Sequence, residues 1–504
     1  MWEFVDNTHV IAGQDERTKQ KIRRHVMRNY RRQQRGDQKK QCQEQLVTGN
    51  NTTKSTSSLV HGRFKDAQPL NVDDCLRPYT SQFQTEGNRL LYQRTLAIED
   101  SIPKALSNPS ETLCWQLDIF LPRLCPHASW LKLLRPLLGH VPHTDLATQA
   151  LATSLRSSAL GRTHEVSYRT AILNYARAVS ALRQAFDEPD HQMSDWTLLS
   201  VALLAMCEIL LTPRSSARAR NVRSHWQGVS AIFLARPEGL EMSSLATALW
   251  FAWWEPISGI PTANGASSPF ERRSWIMLKP PESCGGFGGL VAATNELLIW
   301  LPRLIQGARM MAMGLAEDGK IHETVRLARN MLKIRDEEGE TAAICRAPLV
   351  KTKDEELRAF SPFQYQFSSA EELYAMSLYW GTRAWLIGVC LSISHSGHAS
   401  LDLQDAMIEY NRNAANILMC WESAEAEGAF VTLGVTESLI HAREALRHMK
   451  YLRGVPTATV RSWILSKLGH EYNAFVQDDV SEAAMDTATR MLLGGPMRGF
   501  IAKT

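Results

Sequence analysis

Apolar side chains recur at steps of three and four residues along most of this chain, and that spacing constrains the fold more than any other feature. Between Tyr168 and Phe186, six large apolar or aromatic side chains follow one another at steps of four and three. This spacing places them on one face of an α-helix. Runs that alternate apolar and polar residues between turn signals are scarce, so the sequence predicts an all-α fold of packed antiparallel helices. Further helices are predicted at 197–211, 221–234, 290–313, 323–335, 370–394, 403–425, 436–452, 460–476 and 482–493.

The length and composition are typical of a folded helical body. The chain has 504 residues, of which 44% are hydrophobic and 21% are charged. Because this length exceeds one ordinary hydrophobic core, we expect one or two packed units. The most apolar run, at 196–207, has 12 residues, whereas a helix that crosses a membrane needs about 20. We therefore interpret this run as a buried core helix and expect no membrane partner.

The sequence divides into three segments. Residues 1–46 form a basic N-terminal arm, and residues 47–85, which are rich in Thr, Ser, Asn and Gly, are predicted to be a flexible linker. Residues 86–504 carry the helical pattern and form the predicted α-helical domain. Within that domain, residues 255–288 concentrate Pro, Gly and Ser. We predict a long loop there, or a joint between two lobes.

Charge is distributed unevenly along the chain. The net charge is +4, yet residues 1–16 carry −4 and residues 17–40 carry +10, which leaves −2 for the remainder. In a helix, basic residues of the arm spaced by four and three would form a stripe about 27 Å long, a scale suited to following nucleic-acid phosphates. Arginine also suits bidentate contact with phosphate or guanine. The residues assigned to nucleic-acid binding or nuclear import are Arg17, Lys21, Arg23, Arg24, Arg28, Arg31, Arg32 and Arg35.

The positive charge of the arm is compatible with other uses. The arginine pairs at 23–24 and 31–32, together with Lys39 and Lys40, are typical of a nuclear-import signal. A membrane-surface helix and a merely solvated charged helix are the remaining interpretations. The membrane-surface interpretation is disfavoured because the apolar face of the arm lacks bulky Trp, Phe or Leu. Import and DNA contact use the same charge, so the sequence does not separate them.

Three short stretches together carry a family resemblance. The arm contains KIRRHVMRNYRRQQR at 21–35, preceded by Phe4-Val5. The body contains LLSVALLAMCEILL at 198–211 and then SHWQGVSAIFLARPE at 224–238. In order and spacing these stretches resemble a group of fungal-specific transcription-factor-like proteins. Members of that group have a basic RxHVMRxxRR element near the N-terminus, an apolar helix with a single Glu, and a following segment with a Gly and a terminal Arg.

The resemblance implies an α-helical fungal transcription-factor regulatory domain, nuclear localisation and control of transcription, often of secondary-metabolite gene clusters. The partners it implies are the nuclear import machinery, transcriptional proteins and DNA contacted through the arm. Homodimerisation is a further expectation, since many regulators use it to read paired half-sites. The positions that the resemblance transfers to the regulatory domain are Glu208, His225, Gly228 and Arg236.

The cysteines mark a departure from related zinc-cluster regulators. A binuclear zinc cluster needs six cysteines with repeated CxxC spacing, because thiolates must bridge two tetrahedral ions. The first 100 residues hold only Cys42 and Cys75, and the nine cysteines of the chain include no CxxC. The sequence therefore lacks the zinc DNA-binding module, and we interpret its cysteines as reduced thiols.

Physical chemistry assigns modest roles to the transferred positions. Glu208 stands in an apolar helix and needs a partner, since an uncompensated buried carboxylate is costly; the arginines at 218–223 are candidates. Gly228 inside a helix costs about 1 kcal/mol relative to alanine, and close helix approach is the usual compensation. His225 is interpreted first as a structural histidine and second as a ligand.

The sequence holds no motif that identifies an enzyme. GxSxG, Walker, GxGxxG and HExxH patterns are absent, so we predict no enzyme active site, no metal and no cofactor. His441, Glu444 and His448 share a helix face at metal-ligand spacing, but a facing ExxH motif is missing, and a polar surface face is the preferred interpretation. A nuclear interaction protein that does not bind DNA and a motif-poor helical enzyme remain the alternatives.

Tryptophans are concentrated just before residues 255–288. Trp250, Trp253 and Trp254 stand in this stretch, and the chain has fourteen tryptophans in all. Large aromatic side chains supply much of the buried area of a core. We interpret these three first as core or lobe-to-lobe packing, and second as the lining of a ligand pocket.

Overall fold

The computed structural model describes residues 134, 138–159, 165–188, 191–211, 216–236, 242–397, 401–427, 429–472 and 481–495. All of them belong to the unit Leu76–Thr504. The predicted basic arm (1–46), with every lysine and arginine assigned to it, and the predicted linker (47–85) lie outside the described residues.

The described residues form an all-α fold, as the apolar spacing predicts, with 76% of them in helices and 3% in strands. A first group of helices comprises α1 (Pro142–Ala159), α2 (Glu165–Asp187), α3 (Asp195–Leu211), α4 (Ser216–Ala235) and α5 (Ser244–Asn264). The short helix α6 (Arg273–Ile276) and the 3₁₀ turn Glu282–Phe287 follow. The second group comprises α7 (Gly288–Ala312), α8 (Asp318–Leu332), α9 (Glu337–Arg346), α10 (Glu355–Arg358), α11 (Ala370–His395), α12 (Gln404–Leu418), α13 (Trp421–Glu427), α14 (Ala429–Ala445), α15 (Thr457–Tyr472) and α16 (Glu482–Leu492).

Helix α3 is the centre of the first group. Every residue from Thr197 to Glu208 is buried, because α1, α2 and α4 all pack against this helix. The most apolar run of the sequence is therefore a core helix, as predicted. A helix that is apolar all round can be stable in water only when it is enclosed in this way.

Helix α11 plays the same part in the second group, where α7, α12 and α14 pack around it. Small residues set the distance between α11 and α14. A Cβ at Gly381 would overlap the side chain of Ser438, and a Cβ at Gly434 would overlap the ring of Tyr374. These two glycines therefore permit a backbone approach that alanine would not.

A buried ion pair joins α11 to α12, and the same arginine also reaches the end of α8. Arg383 is 0% exposed and its Nε lies 2.6 Å from Glu409 Oε1 on α12. The Nη1 of Arg383 donates to the carbonyl of Ile334 at 3.1 Å, just beyond α8. The negative end of a helix favours a cation, and the carboxylate of Glu409 completes the neutralisation of the buried charge.

Two short hairpins are the exceptions to the helical fold within the described residues. Strand β1 (Leu349–Lys351) pairs antiparallel with β2 (Phe363–Tyr365), and β3 (Tyr451–Leu452) pairs with β4 (Val455–Pro456). The second hairpin corrects the predicted helix at 436–452, which ends at Ala445 of α14. Arg453 and Gly454 both have positive φ, and a two-residue turn of that kind favours a hairpin.

The predicted loop or joint at 255–288 is partly wrong. Helix α5 continues to Asn264 through Pro261, so the first ten residues of that range are helical. Burial of the α5 side chains, among them Leu249 and Trp250 at 1% exposed, outweighs the cost of the prolines. Gly265 then ends the helix at φ 68°.

The prediction of a single helix at 403–425 is also partly wrong. The chain turns at Met419, whose carbonyl accepts a hydrogen bond from the N–H of Tyr365. The helices α12 and α13 lie on either side of this turn.

One segment, Cys284–Ala312, is long and apolar enough to cross a membrane by length and composition alone. Most of it is α7, which packs against α5, α8 and α11. Leu297, Leu301 and Leu304 are buried in these contacts. The apolar surface of α7 is thus used inside the helical body.

Candidate functional site

The four positions transferred from the family resemblance lie on two neighbouring antiparallel helices, α3 and α4, or directly after them. Glu208 is near the end of α3, and His225 and Gly228 are in α4, while Arg236 follows its last residue. Helices that follow one another along the chain and pack side by side bring the end of the first close to the start of the second. Glu208 therefore lies toward one end of this helix pair, Gly228 near its middle and Arg236 at its other end.

At one end of the pair, Glu208 and His225 meet through Tyr175 of α2. The Tyr175 hydroxyl donates to Glu208 Oε1 and lies 3.1 Å from His225 Nε2. The hydroxyl has one proton, which goes to the carboxylate, so the imidazole must carry its proton on Nε2 and donate to the phenol oxygen. We call these three side chains the three-helix junction, because they join α2, α3 and α4.

Burial controls the protonation states of the junction. Burial and the charge of Glu208 raise the pKa of Tyr175 well above its ordinary range, so the phenol stays neutral. Burial lowers the pKa of His225, while the nearby Glu208 charge opposes that shift. A neutral phenol and a neutral imidazole around one buried carboxylate make a hydrogen-bonded support rather than a nucleophile.

Tyr175 is the partner of Glu208 that sequence reasoning missed. The predicted arginine partners of Glu208, at 218–223, have side chains outside the described residues. A signal for Tyr175 was present, because a tyrosine within the apolar stripe of α2 must find a partner for its hydroxyl when it is buried. The stripe was interpreted only as apolar surface.

Gly228 does not mark the tight helix approach that the sequence suggested. A Cβ placed on this glycine would lie 3.4 Å from Val201 Cγ1 of α3, which is an ordinary van der Waals contact. Alanine therefore fits at this position. The packing of α3 on α4 gives no reason why a glycine is required there.

At the other end of the pair, Arg236 joins three helices through Asp195. Its Nη2 lies 2.5 Å from Asp195 Oδ1 in the first turn of α3, and the second oxygen of Asp195 accepts from the hydroxyl of Ser243. Ser243 in turn caps α5, since its Oγ accepts from the N–H of Ala246. Asp195 thus connects the start of α3, the end of α4 and the start of α5.

Trp250 is packed in an aromatic cluster and not left open to a pocket. Its ring stacks on Trp275 at 4.6 Å and meets the edges of Phe233 and Phe270 at 5.4 and 4.9 Å. The side chain is 1% exposed, in agreement with the packing interpretation. The side chains of Trp253 and Trp254 are outside the described residues.

The candidate metal ligands His441, Glu444 and His448 contact different neighbours, and the interpretation of this face as polar surface is wrong because His441 and Glu444 are buried. His441 stacks on Trp385 with the ring centres 4.8 Å apart, and Glu444 pairs with Arg447 at 3.0 Å. His448 lies beside Tyr410, with 5.9 Å between ring centres. Among the residues that the structure describes, no group of three His, Cys, Asp or Glu side chains is arranged to hold a metal ion.

The described geometry therefore consists of a helix pair held at both ends, one by the three-helix junction and the other by Asp195 and Arg236. It fixes the positions of α2 to α5 relative to one another. No protein-family model matches the chain, and neither a curated protein nor a solved structure matches it significantly.

Proposed function

We propose that this chain regulates transcription, with its basic arm serving nuclear import and contact with nucleic-acid phosphates, and its helical body serving as the regulatory domain. The observation that carries the proposal is the concentration of charge in the arm, where residues 17–40 carry +10 and residues 41–504 together carry −2. A regulatory role near secondary-metabolite genes is the form of this function that the family resemblance favours.

The electrostatics of the chain support contact through the arm. Each lysine or arginine that neutralises a phosphate releases condensed counterions, so affinity for DNA falls steeply with salt. The nearly neutral body contributes little to such an attraction. Salt-dependent binding should therefore depend on the arm, and particularly on the stripe that contains Arg24, Arg28, Arg31 and Arg35.

The helical body supports the regulatory half of the proposal. The positions shared with the resembled group hold α2, α3, α4 and α5 together at the three-helix junction and at Asp195. A body with this internal support can present a fixed surface to other proteins. The two halves of the proposal are separable, because the arm supplies charge and the body supplies surfaces.

The test of the arm is binding of the full-length protein to random duplex DNA across a salt series. The comparison is a variant with Arg24, Arg28, Arg31 and Arg35 all changed to Gln. We expect the parent to bind with a steep dependence on salt and the variant to lose about 0.9 in the logarithmic salt slope for each phosphate contact removed.

A matched control removes four positive charges from the body instead of from the arm. Lys279, Arg326, Lys333 and Lys351 are exposed, and changing them to Gln should leave the salt slope unchanged. If the parent fails to bind even at about 50 mM salt, where phosphate contacts are strong, contact with DNA is excluded. The chain would then regulate through other proteins.

Nuclear import is tested with the same full-length chains fused to a fluorescent protein in fungal cells. The parent and the body control should accumulate in the nucleus, and the arm variant should not. Accumulation of the arm variant that equals the parent would show that the arm is not the import signal.

A further inference from the structure

Helix α16, the last described helix, lies on the body through a narrow apolar stripe. Met485, Thr489 and Leu493 are 4%, 1% and 7% exposed, while Glu482, Ala483 and Arg490 are exposed. The spacing of four residues puts the buried side chains in a single row along the helix. Leu492 also packs on the core, and the polar contacts of α16 lie toward its two ends.

At its N-terminal end, α16 presents two carboxylates to three arginines. Glu482 Oε1 lies 2.7 Å from Arg461 Nη2 and 3.3 Å from Arg443 Nη2. Asp486 Oδ1 lies 2.8 Å from Arg443 Nη2 and also pairs with Arg447. Burial raises the pKa of Asp486, but the two arginines outweigh that effect and keep it below its ordinary value.

At its C-terminal end, α16 is held through its last carbonyl groups. Arg309 Nη2 on α7 donates to the Met491 carbonyl at 3.0 Å, and Trp385 Nε1 on α11 donates to the Leu492 carbonyl at 2.9 Å. Gly494 has φ 84°, which ends the helix as the Gly-Gly-Pro run of the sequence predicts. The donors at this end match the free carbonyls of any helix terminus.

The surface beneath α16 is a groove that is complementary to an amphipathic helix. Its floor is formed by the Trp385–His441 stack and by Gly388, where an added Cβ would lie 2.8 Å from Leu493 Cδ2. Arg443 lies at its basic end and is 1% exposed, yet within the described residues its Nε and Nη1 have no hydrogen-bond partner. Only Nη2 of this buried guanidinium contacts α16.

The hold on α16 is weak compared with that on the central helices. An isolated helix of 11 residues is not stable in water, so α16 depends on its contacts with the body, and about half of its side chains are exposed. Segments with few buried apolar contacts open locally far more often than the whole protein unfolds. Opening of α16 would expose the groove while the core around α11 stays folded.

We propose that this groove, lined by Arg309, Trp385, Gly388, His441, Arg443 and Arg461, binds an amphipathic helix of a partner protein in exchange for α16. The occupant carries two carboxylates four residues apart in its first turns and an apolar row beside them, as α16 does. In the absence of the partner, α16 occupies the groove and blocks it.

The probe for this test is a labelled peptide with the sequence of residues 481–495, added to full-length protein. A double variant of the chain, Glu482→Gln with Asp486→Asn, weakens its own α16 without changing the groove. Apparent affinity scales with the fraction of open groove, so we expect the peptide to bind this variant about tenfold more tightly than the parent. A peptide with the same two substitutions should bind neither chain.

A charge reversal locates the binding in the groove. Arg461→Glu, added to the double variant, should weaken binding of the parent peptide, and a Glu482→Arg peptide should restore it. Amide hydrogen exchange on the parent provides a measurement that does not depend on the variants folding. We expect α16 to exchange at least tenfold faster than α11.

Two outcomes would overturn the proposal. One is exchange of α16 as slow as that of α11, together with no binding of the peptide to the double variant. The other is a dimer of the parent chain that grows with protein concentration and excludes the peptide, since the groove would then take α16 of a second copy. Both measurements are independent of the basic arm and of DNA binding, so failure of this proposal is distinguishable from failure of the proposed function.

Discussion

At the scale of single residues, the polar groups that enter the apolar interior explain much of the described structure. Glu208 is 4% exposed, and a buried carboxylate must find hydrogen-bond donors. Tyr175 of α2 donates to this carboxylate, and His225 of α4 donates in turn to the Tyr175 oxygen. The requirement for partners was predictable from the sequence, whereas their identity depended on how α2 and α4 pack on α3.

Removal of the Tyr175 hydroxyl should destabilise the protein. In Tyr175→Phe the buried Glu208 loses a donor and His225 loses an acceptor, so we expect the free energy of unfolding to fall by about 1–3 kcal/mol in urea denaturation. Tyr451, which is 53% exposed, provides the control, and Tyr451→Phe should have no measurable effect. Equal stability of the two variants would show that the junction contributes nothing.

Replacement of each of two glycines by alanine should change the free energy of unfolding in opposite directions. Gly228→Ala should raise the free energy of unfolding by up to about 1 kcal/mol, because alanine favours a helix and its Cβ fits against Val201. Gly434→Ala should lower it by about 1–3 kcal/mol, because the Cβ would overlap the ring of Tyr374. Denaturant midpoints measure both, and loss of stability in Gly228→Ala would show that α3 and α4 pack more tightly than described.

His441 should make the stability of the protein dependent on pH. Burial lowers the pKa of His441 from 6.5 to about 3, so the unfolded chain binds a proton that the folded protein does not bind between these values. Stability from this residue is therefore complete above pH 6.5 and falls as the pH decreases toward about 3, by about 1.4 kcal/mol per pH unit. His441→Gln should reduce the slope between pH 6 and pH 4.5 by about that amount. An unchanged slope would contradict the burial of a neutral His441.

At the scale of helices and strands, spacing predicted many of the segments with a wide apolar stripe, but it missed α5, whose prolines and glycine are typical of a loop. The helices at 168–186, 197–211 and 370–394 were found close to their predicted ends as α2, α3 and α11. Helices α1 and α9 were missed because their buried residues are mostly small, such as Ala147 and Ala343. Small side chains give a weak periodic signal even when packing requires them.

The candidate site was predicted less completely than the helices. Glu208 and His225 do meet, but Asp195 was missed as the partner of Arg236. An acidic residue in the first turn of a helix is common and has an evident local role in the helix dipole. The contact with Arg236 depends on the antiparallel return of α4, which follows from packing and leaves no mark in the local sequence.

Loss of the Asp195 carboxylate should loosen the connection between α3, α4 and α5. Asp195→Asn removes the charge that Arg236 contacts, and a hydrogen bond to a charged group contributes about 1.5–3 kcal/mol. Hydrogen exchange should then accelerate at the end of α4 and the start of α5. Asp187→Asn, at an exposed aspartate of α2, should leave the exchange rates unchanged, and equal effects of both changes would rule out the connection.

At the scale of the whole molecule, the two groups of helices differ in how far apart in sequence their contacts lie. Helices α1 to α4 pack on neighbours along the chain, whereas Arg309 contacts the carbonyl of Met491, 182 residues away. Local contacts form faster because they close shorter loops. In refolding followed by pulsed hydrogen exchange, α1 to α4 should gain protection before α16, and the reverse order would contradict this difference.

The contact between Arg309 and Met491 also has a consequence for synthesis of the chain. Arg309 leaves the ribosome before α16 exists, and the intervening 182 residues take roughly 10–40 s to make at typical translation rates. During that interval Arg309 lacks the Met491 carbonyl that it contacts in the folded protein, and the groove is incomplete because His441, Arg443 and Arg461 are made only shortly before α16. Nascent chains of this protein should therefore be bound by chaperones until translation ends, in contrast to the earlier helices, which can pack as they emerge.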